Sequence, residues 1–143
     1  MFGATVSRPG SRALGVGLTA AIVALALSTG YIHLTLGGLL FTLNALGYAG
    51  LAGLYVVAAA APLPVVRRFS WFPRVALAGY AAMTIAGWAI QGPYYSTAYL
   101  AKGIEVVLIA LIAVDATRVY GSPLAMVRVA LASVFGGRAR QAA

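Results

Sequence analysis

The ionisable side chains of this sequence are few and closely spaced. Lys102 and Glu105 stand three residues apart, and Asp115 and Arg118 repeat the spacing. Residues three apart share a helix face, so each acid has a base within reach. As an ion pair, Lys102 neutralises Glu105 and the pair is structural. As a functional group, Glu105 is a proton or cation site with Asn44 and Tyr48 as partners. Asp115 and Arg118 read as a structural pair, because the long arginine stem lets its head reach the membrane surface while neutralising the acid. The two acids cannot act together as acid and base: ten residues of helix put about 15 Å between them.

His33 is the only histidine. It can serve as a metal or haem ligand, or as a group that changes charge near neutral pH. Its simpler reading is an interfacial side chain bonded to a loop carbonyl. One histidine does not make a two-histidine haem site or a multi-histidine zinc or copper site within one chain. Met83 and Met126 lie in other segments, so methionine–histidine haem ligation is not indicated. His33, Asn44, Tyr48, Gln91, Lys102 and Glu105 come from four segments at a similar expected depth and form a candidate polar cluster. Buried asparagines commonly bond to a neighbouring helix. Tyr48 and Tyr55 either line a quinone or lipid slot or pack as ordinary aromatics.

Enzyme signatures are missing. The glycines lie inside apolar runs rather than in a phosphate-binding loop, and no serine–histidine–acid order stands out. Cysteine is absent, which removes disulfides, thiolate nucleophiles and cysteine-ligated clusters. The expectation is a protein that is not an enzyme, with no predicted cofactor. The stretch His33-Leu34-Thr35-Leu36-Gly37-Gly38 and its continuation Asn44-Ala45-Leu46-Gly47-Tyr48 has the look of a motif but attaches to no named activity.

These side chains must be positioned by a membrane-embedded scaffold. Of 143 residues, 62% are hydrophobic and 8% charged, against about 25% charged in soluble domains. Four apolar runs approach the roughly 20 residues that a helical crossing needs: Ala13–Ile32, Leu36–Ala61, Val75–Gly92 and Tyr99–Val119. Pro62 and Pro64, then Pro93, then Gly121 and Pro123 end the later three. Arg8, Arg12 and Ala24-Leu25-Ala26 resemble a secretory signal; the segment is read as a retained helix. The expected fold is an all-α integral membrane bundle of four transmembrane helices running up-down-up-down. It divides into an N-terminal segment at 1–12, the bundle at 13–120 and a basic tail at 121–143.

Every basic side chain except Lys102 lies on one side of this scheme: Arg8 and Arg12, Arg67, Arg68 and Arg74, and Arg118, Arg128, Arg138 and Arg140. The positive-inside pattern then puts both termini in the cytoplasm of a bacterial or archaeal inner membrane. The net charge of +8 is used for orientation, so no nucleic-acid partner is expected. Tyr31, Trp88, Tyr94, Tyr95 and Tyr99 form an outer aromatic belt, and Phe69, Trp71 and Phe72 an inner one. Ser122–Phe135 reads as a surface helix capped by Ser122, with Leu124, Val127, Leu131 and Val134 on an apolar stripe and Arg128 off it.

Small residues at four-residue spacing permit close helix packing. They occur at Gly17 and Ala21, at Ala20 and Ala24, at Ala45, Ala49 and Gly53, and at Ala78, Ala82 and Ala86. They are expected inside the bundle. The first functional expectation is a non-catalytic accessory or scaffold subunit of a larger membrane complex or homo-oligomer, with membrane lipids and other subunits as partners. The alternatives are proton, ion or small-solute transport through the polar cluster, and a subunit that binds lipid or quinone and serves electron transfer.

Overall fold

A computed structural model describes residues 9–135, and every element in that range is a helix. In chain order these are α1 (Pro9–Leu36), α2 (Leu39–Ala60), α3 (Pro64–Arg68), α4 (Trp71–Gln91), α5 (Ser96–Tyr120) and α6 (Pro123–Phe135). Gly10–Leu36, Leu39–Ala60 and Ser96–Tyr120 are long and apolar enough to cross a membrane, which identifies a membrane protein. At 21 residues α4 has the length, but it is less apolar and carries Arg74, Tyr80, Thr84, Trp88 and Gln91.

Short connections reverse the chain. Gly37 and Gly38 both hold positive φ, a conformation that glycine adopts without steric cost. The first helix therefore continues to Leu36, four residues past the end of the apolar run. His33, expected in a connection, lies within α1 instead. At the other end of α2, Pro62 and Pro64 break the ladder, and Pro64 opens the one-turn α3. The helix expected to start at Val75 starts at Trp71, because Pro73 fits a first turn, where no backbone donor is needed. Ser122 caps α6, its Oγ accepting the Ala125 amide at 3.0 Å.

The four long helices form a ring in the order α1, α2, α4, α5, each packed on its two neighbours. Contacting pairs show that neighbours run antiparallel. Thr29, late in α1, meets Glu105, early in α5; Tyr48 meets Thr84 across α2 and α4. The buried positions alternate three and four residues apart: Ala45, Tyr48, Ala52, Tyr55 on α2; Arg74, Leu77, Ala81 on α4; and Ala101, Glu105, Leu108, Ile112, Asp115 on α5. That spacing of about 3.5 residues keeps one seam of each helix facing its neighbours. Ile22, Ala26, Ala52, Leu77, Ala81, Leu108 and Ile112 make an apolar layer midway along it.

The small-residue stripes are mostly elsewhere. Gly17, Ala20 and Ala24 of α1, Ala49 and Gly53 of α2, and Ala82 and Ala86 of α4 are exposed. The spacing identified helix faces that permit close approach, but the interior is built from other positions, Ala26, Ala52 and Ala81 packed with Tyr48, Tyr55 and Leu77 among them, and most of those faces turn outward. Close packing inside is made at other points. A Cβ at Gly30 would press on Tyr48 Cβ at 3.2 Å, and one at Gly47 would overlap the Tyr80 phenol. Tyr80 lies across Gly47 to donate to the Asn44 backbone carbonyl at 3.2 Å. The face of α6 that packs on the bundle carries Met126 and Ala130, while Leu124, Val127, Leu131 and Val134 stay exposed.

Gly47 and Gly50 thus separate packing from propensity. A Cβ at Gly50 meets nothing within 4 Å, so Gly50→Ala should be neutral or stabilise by up to about 1 kcal/mol. Gly47→Ala should destabilise by about 1–3 kcal/mol through overpacking against Tyr80. Thermal unfolding of the two variants in one detergent compares them directly.

Candidate functional site

Both acidic residues are fully buried and each gathers partners from several helices. The larger cluster surrounds Asp115. Arg74 donates from Nε at 2.9 Å and approaches with Nη2 at 2.8 Å, both to Oδ2. Tyr55 donates to the same oxygen at 2.6 Å. Arg118 donates to Oδ1 from Nε at 3.1 Å and from Nη2 at 2.7 Å. Two guanidinium groups and a phenol from α2, α4 and α5 thus close on one carboxylate.

Arg74 is held in turn. Its Nη1 donates to the Ser70 carbonyl at 2.6 Å, and its guanidinium lies 5.1 Å from the Tyr55 ring centroid and 5.9 Å from that of Tyr120. Ser70 Oγ donates to the Arg67 carbonyl, so the Tyr120 hydroxyl is the donor in its 2.6 Å contact with Ser70. Arg118 reaches Asp115 past Gly15 of α1, where a Cβ would stand 2.9 Å from the guanidinium.

The second cluster surrounds Glu105. Lys102 Nζ donates to Oε2 at 2.7 Å, and Thr29 donates to Oε1 at 3.0 Å. His33 lies 2.7 Å by Nδ1 from the Thr29 backbone carbonyl. A carbonyl only accepts, so Nδ1 carries the hydrogen. Nε2 then faces Glu105 Oε1 at 3.9 Å. The imidazole packs on Tyr48 and Phe41, with ring centroids 5.9 and 6.2 Å away. Because Thr84 Oγ1 donates to the Ala81 carbonyl, Tyr48 is the donor in its 3.0 Å bond to Thr84.

Of the six residues in the candidate polar cluster, His33, Tyr48, Lys102 and Glu105 come together. Gln91 does not: it is exposed at the end of α4. Asn44 is half-buried beside the cluster, and its Oδ1 is buried with no hydrogen-bond partner among the described residues. Four participants were not singled out from sequence: Thr29 and Thr84, the hydroxyl of Tyr55 as a donor, and above all Arg74. Arg74 read as a connection charge, but it is buried in the first turn of α4. The available signal was its phase, since Arg74, Leu77, Ala81 and Thr84 follow the same three-four spacing as the core. Among the described residues no three His, Asp or Glu side chains converge on a common point suited to a metal ion.

The arrangement can hold charge in place and fix one helix against another. Its two acids lie at opposite ends of the α5 seam, with Leu108 and Ile112 buried between them. No protein-family model matches the chain, and neither the curated proteins nor the solved structures contain a match to it.

Breaking a buried ion pair on one side strands the other charge, at about 3–5 kcal/mol. Asp115→Asn should therefore lower stability by about 3 kcal/mol or more. Glu105→Gln should be costly for the same reason, and Lys102→Met in the Glu105→Gln background should recover much of the loss. Unfolding of the single and double variants in denaturant checks the order; recovery by the second substitution identifies the stranded lysine as the cause.

Proposed function

We propose that this chain is a four-span membrane scaffold whose outer faces pack against other transmembrane helices, either of further copies or of different subunits. In this reading α4 is the fourth crossing, and the end of the bundle bearing Arg67, Arg68, Arg74 and Arg118 faces the cytoplasm with both termini. Arg8, Arg138 and Arg140 would add to that side; they lie outside the described residues.

The exposed small-residue faces carry the proposal. On α1, Gly17, Ala20 and Ala24 lie on the side opposite buried Ile22 and Ala26; on α4, Gly79, Ala82 and Ala86 lie opposite Leu77 and Ala81. Lipid tails are as apolar as leucine and give no hydrophobic reason for helices to associate. Faces of glycine and alanine associate because they let backbones come close. The charge clusters support the same reading, because each carboxylate is neutralised within the bundle and an apolar layer separates them.

Two experiments bear on this. Native mass measurement after gentle detergent extraction should give a multi-chain assembly, and Ala20→Leu with Ala82→Leu should release chains of unchanged helix content. A lipid-coated monomer from the unmodified protein would contradict the scaffold reading. For the orientation, the cysteine-free sequence allows clean single-cysteine labelling. A cysteine replacing Arg67 should react only from the cytoplasmic side and one replacing Tyr95 only from the opposite side; reaction of both from one side would overturn the four-span scheme.

A further inference from the structure

At the end of the bundle where α2 leaves and α4 begins, the surface holds an open cleft of about 430 Å³. Leu54 and Val57 of α2, Val66 of α3, Phe69, Trp71 of α4 and Val134 of α6 are among its walls. The lining is apolar. Trp71 Nε1 is buried and has no hydrogen-bond partner among the described residues. Trp71 therefore lines the cleft with its ring and not with its N–H.

The rim is cationic. Arg67 and Arg68 follow Val66 on α3 and are exposed, and the Arg68 guanidinium lies 5.4 Å from the centroid of the Phe69 ring that lines the cleft. No side-chain carboxylate is left to neutralise them. The sequence holds only two acids; Asp115 is taken by Arg74 and Arg118, and Glu105 by Lys102. An apolar slot with two unneutralised guanidiniums at its mouth matches a molecule with an acyl chain and an anionic head.

We propose that this cleft binds an anionic phospholipid. An acyl chain lies along Leu54, Val57, Val66 and Val134. The phosphate is held by Arg67 and Arg68, whose planar forks suit its oxygens. The site does not depend on whether the outer faces bind other helices. It does share the orientation proposed above, which puts it at the leaflet where anionic lipids concentrate.

The chain has two tryptophans, so Trp88→Phe leaves Trp71 as the sole tryptophan, whose emission is excited selectively over that of the tyrosines. The full-length variant in mild detergent is titrated with brominated phosphatidylglycerol and, separately, with brominated phosphatidylcholine. Trp71 should be quenched by the anionic lipid at roughly a tenth of the mole fraction required of the zwitterionic one. Arg67→Gln with Arg68→Gln should abolish that preference while leaving the melting temperature unchanged, both side chains being exposed. Equal quenching by the two lipids would mean a neutral acyl slot and would overturn the proposal. So would a preference that survives the double substitution, or no quenching by either lipid.

Discussion

A carboxylate withdrawn from water must be met by charge and hydrogen bonds. This chain withdraws both of its own, and that constraint organises the bundle. Asp115 is met from α2, α4 and α5 together, through Tyr55, Arg74 and Arg118. Glu105 is met from α1 and α5, through Thr29 and Lys102. Between them the clusters tie every long helix at a fixed height. One helical turn is about 5.4 Å, so sliding α4 by a single turn would take Arg74 away from Asp115 and strand its buried guanidinium. An apolar interior of alanine, leucine and isoleucine tolerates such a slide far better, because one methyl group resembles another. The ionic ends supply the register, and the layer from Ile22 to Ile112 supplies contact.

The same arithmetic of charge reaches the surface. With two acids against ten basic side chains, most cations have no carboxylate to answer them. Arg74 and Arg118 are drawn inward onto Asp115 and Lys102 onto Glu105; Arg67 and Arg68 remain outside on the short turn α3. Their position beside an apolar cleft gives the unneutralised charge a defined setting. The aromatic groups divide in the same way. Trp88 packs edge-on against Tyr94 and Tyr99 at one end of the ring, and its Nε1 donates to the Pro93 carbonyl at 2.8 Å. Trp71 at the other end packs on Phe69 and Phe72, and its N–H finds no such carbonyl.

Small residues have two roles that their spacing does not distinguish. Gly30 and Gly47 make room inside, for Tyr48 and Tyr80; Gly15 makes room for the Arg118 head. Gly17, Ala20, Ala24, Ala82 and Ala86 make room outside. In water an exposed alanine face needs no explanation, but in a bilayer it is a face that another helix can approach closely. The scaffold reading grows from this second group.

The amino-acid sequence by itself determined the class of fold, because runs of some twenty apolar residues must leave water as helices and prolines must end them. It also made the pairs Lys102 with Glu105 and Asp115 with Arg118 legible, since three residues along one helix is a local distance fixed by helix geometry. It did not reveal Thr29 on Glu105, Tyr55 and Arg74 on Asp115, or His33 inside α1. Those contacts join residues 76, 60 and 41 positions apart and depend on how each helix is rotated and at what height it sits, or on where a glycine turn begins. Nor did it decide which small-residue stripes turn outward, because alanine suits either side. Only the tertiary structure decided these, since rotation and height are set jointly by all four helices as they close around two carboxylates whose full sets of partners come from several helices.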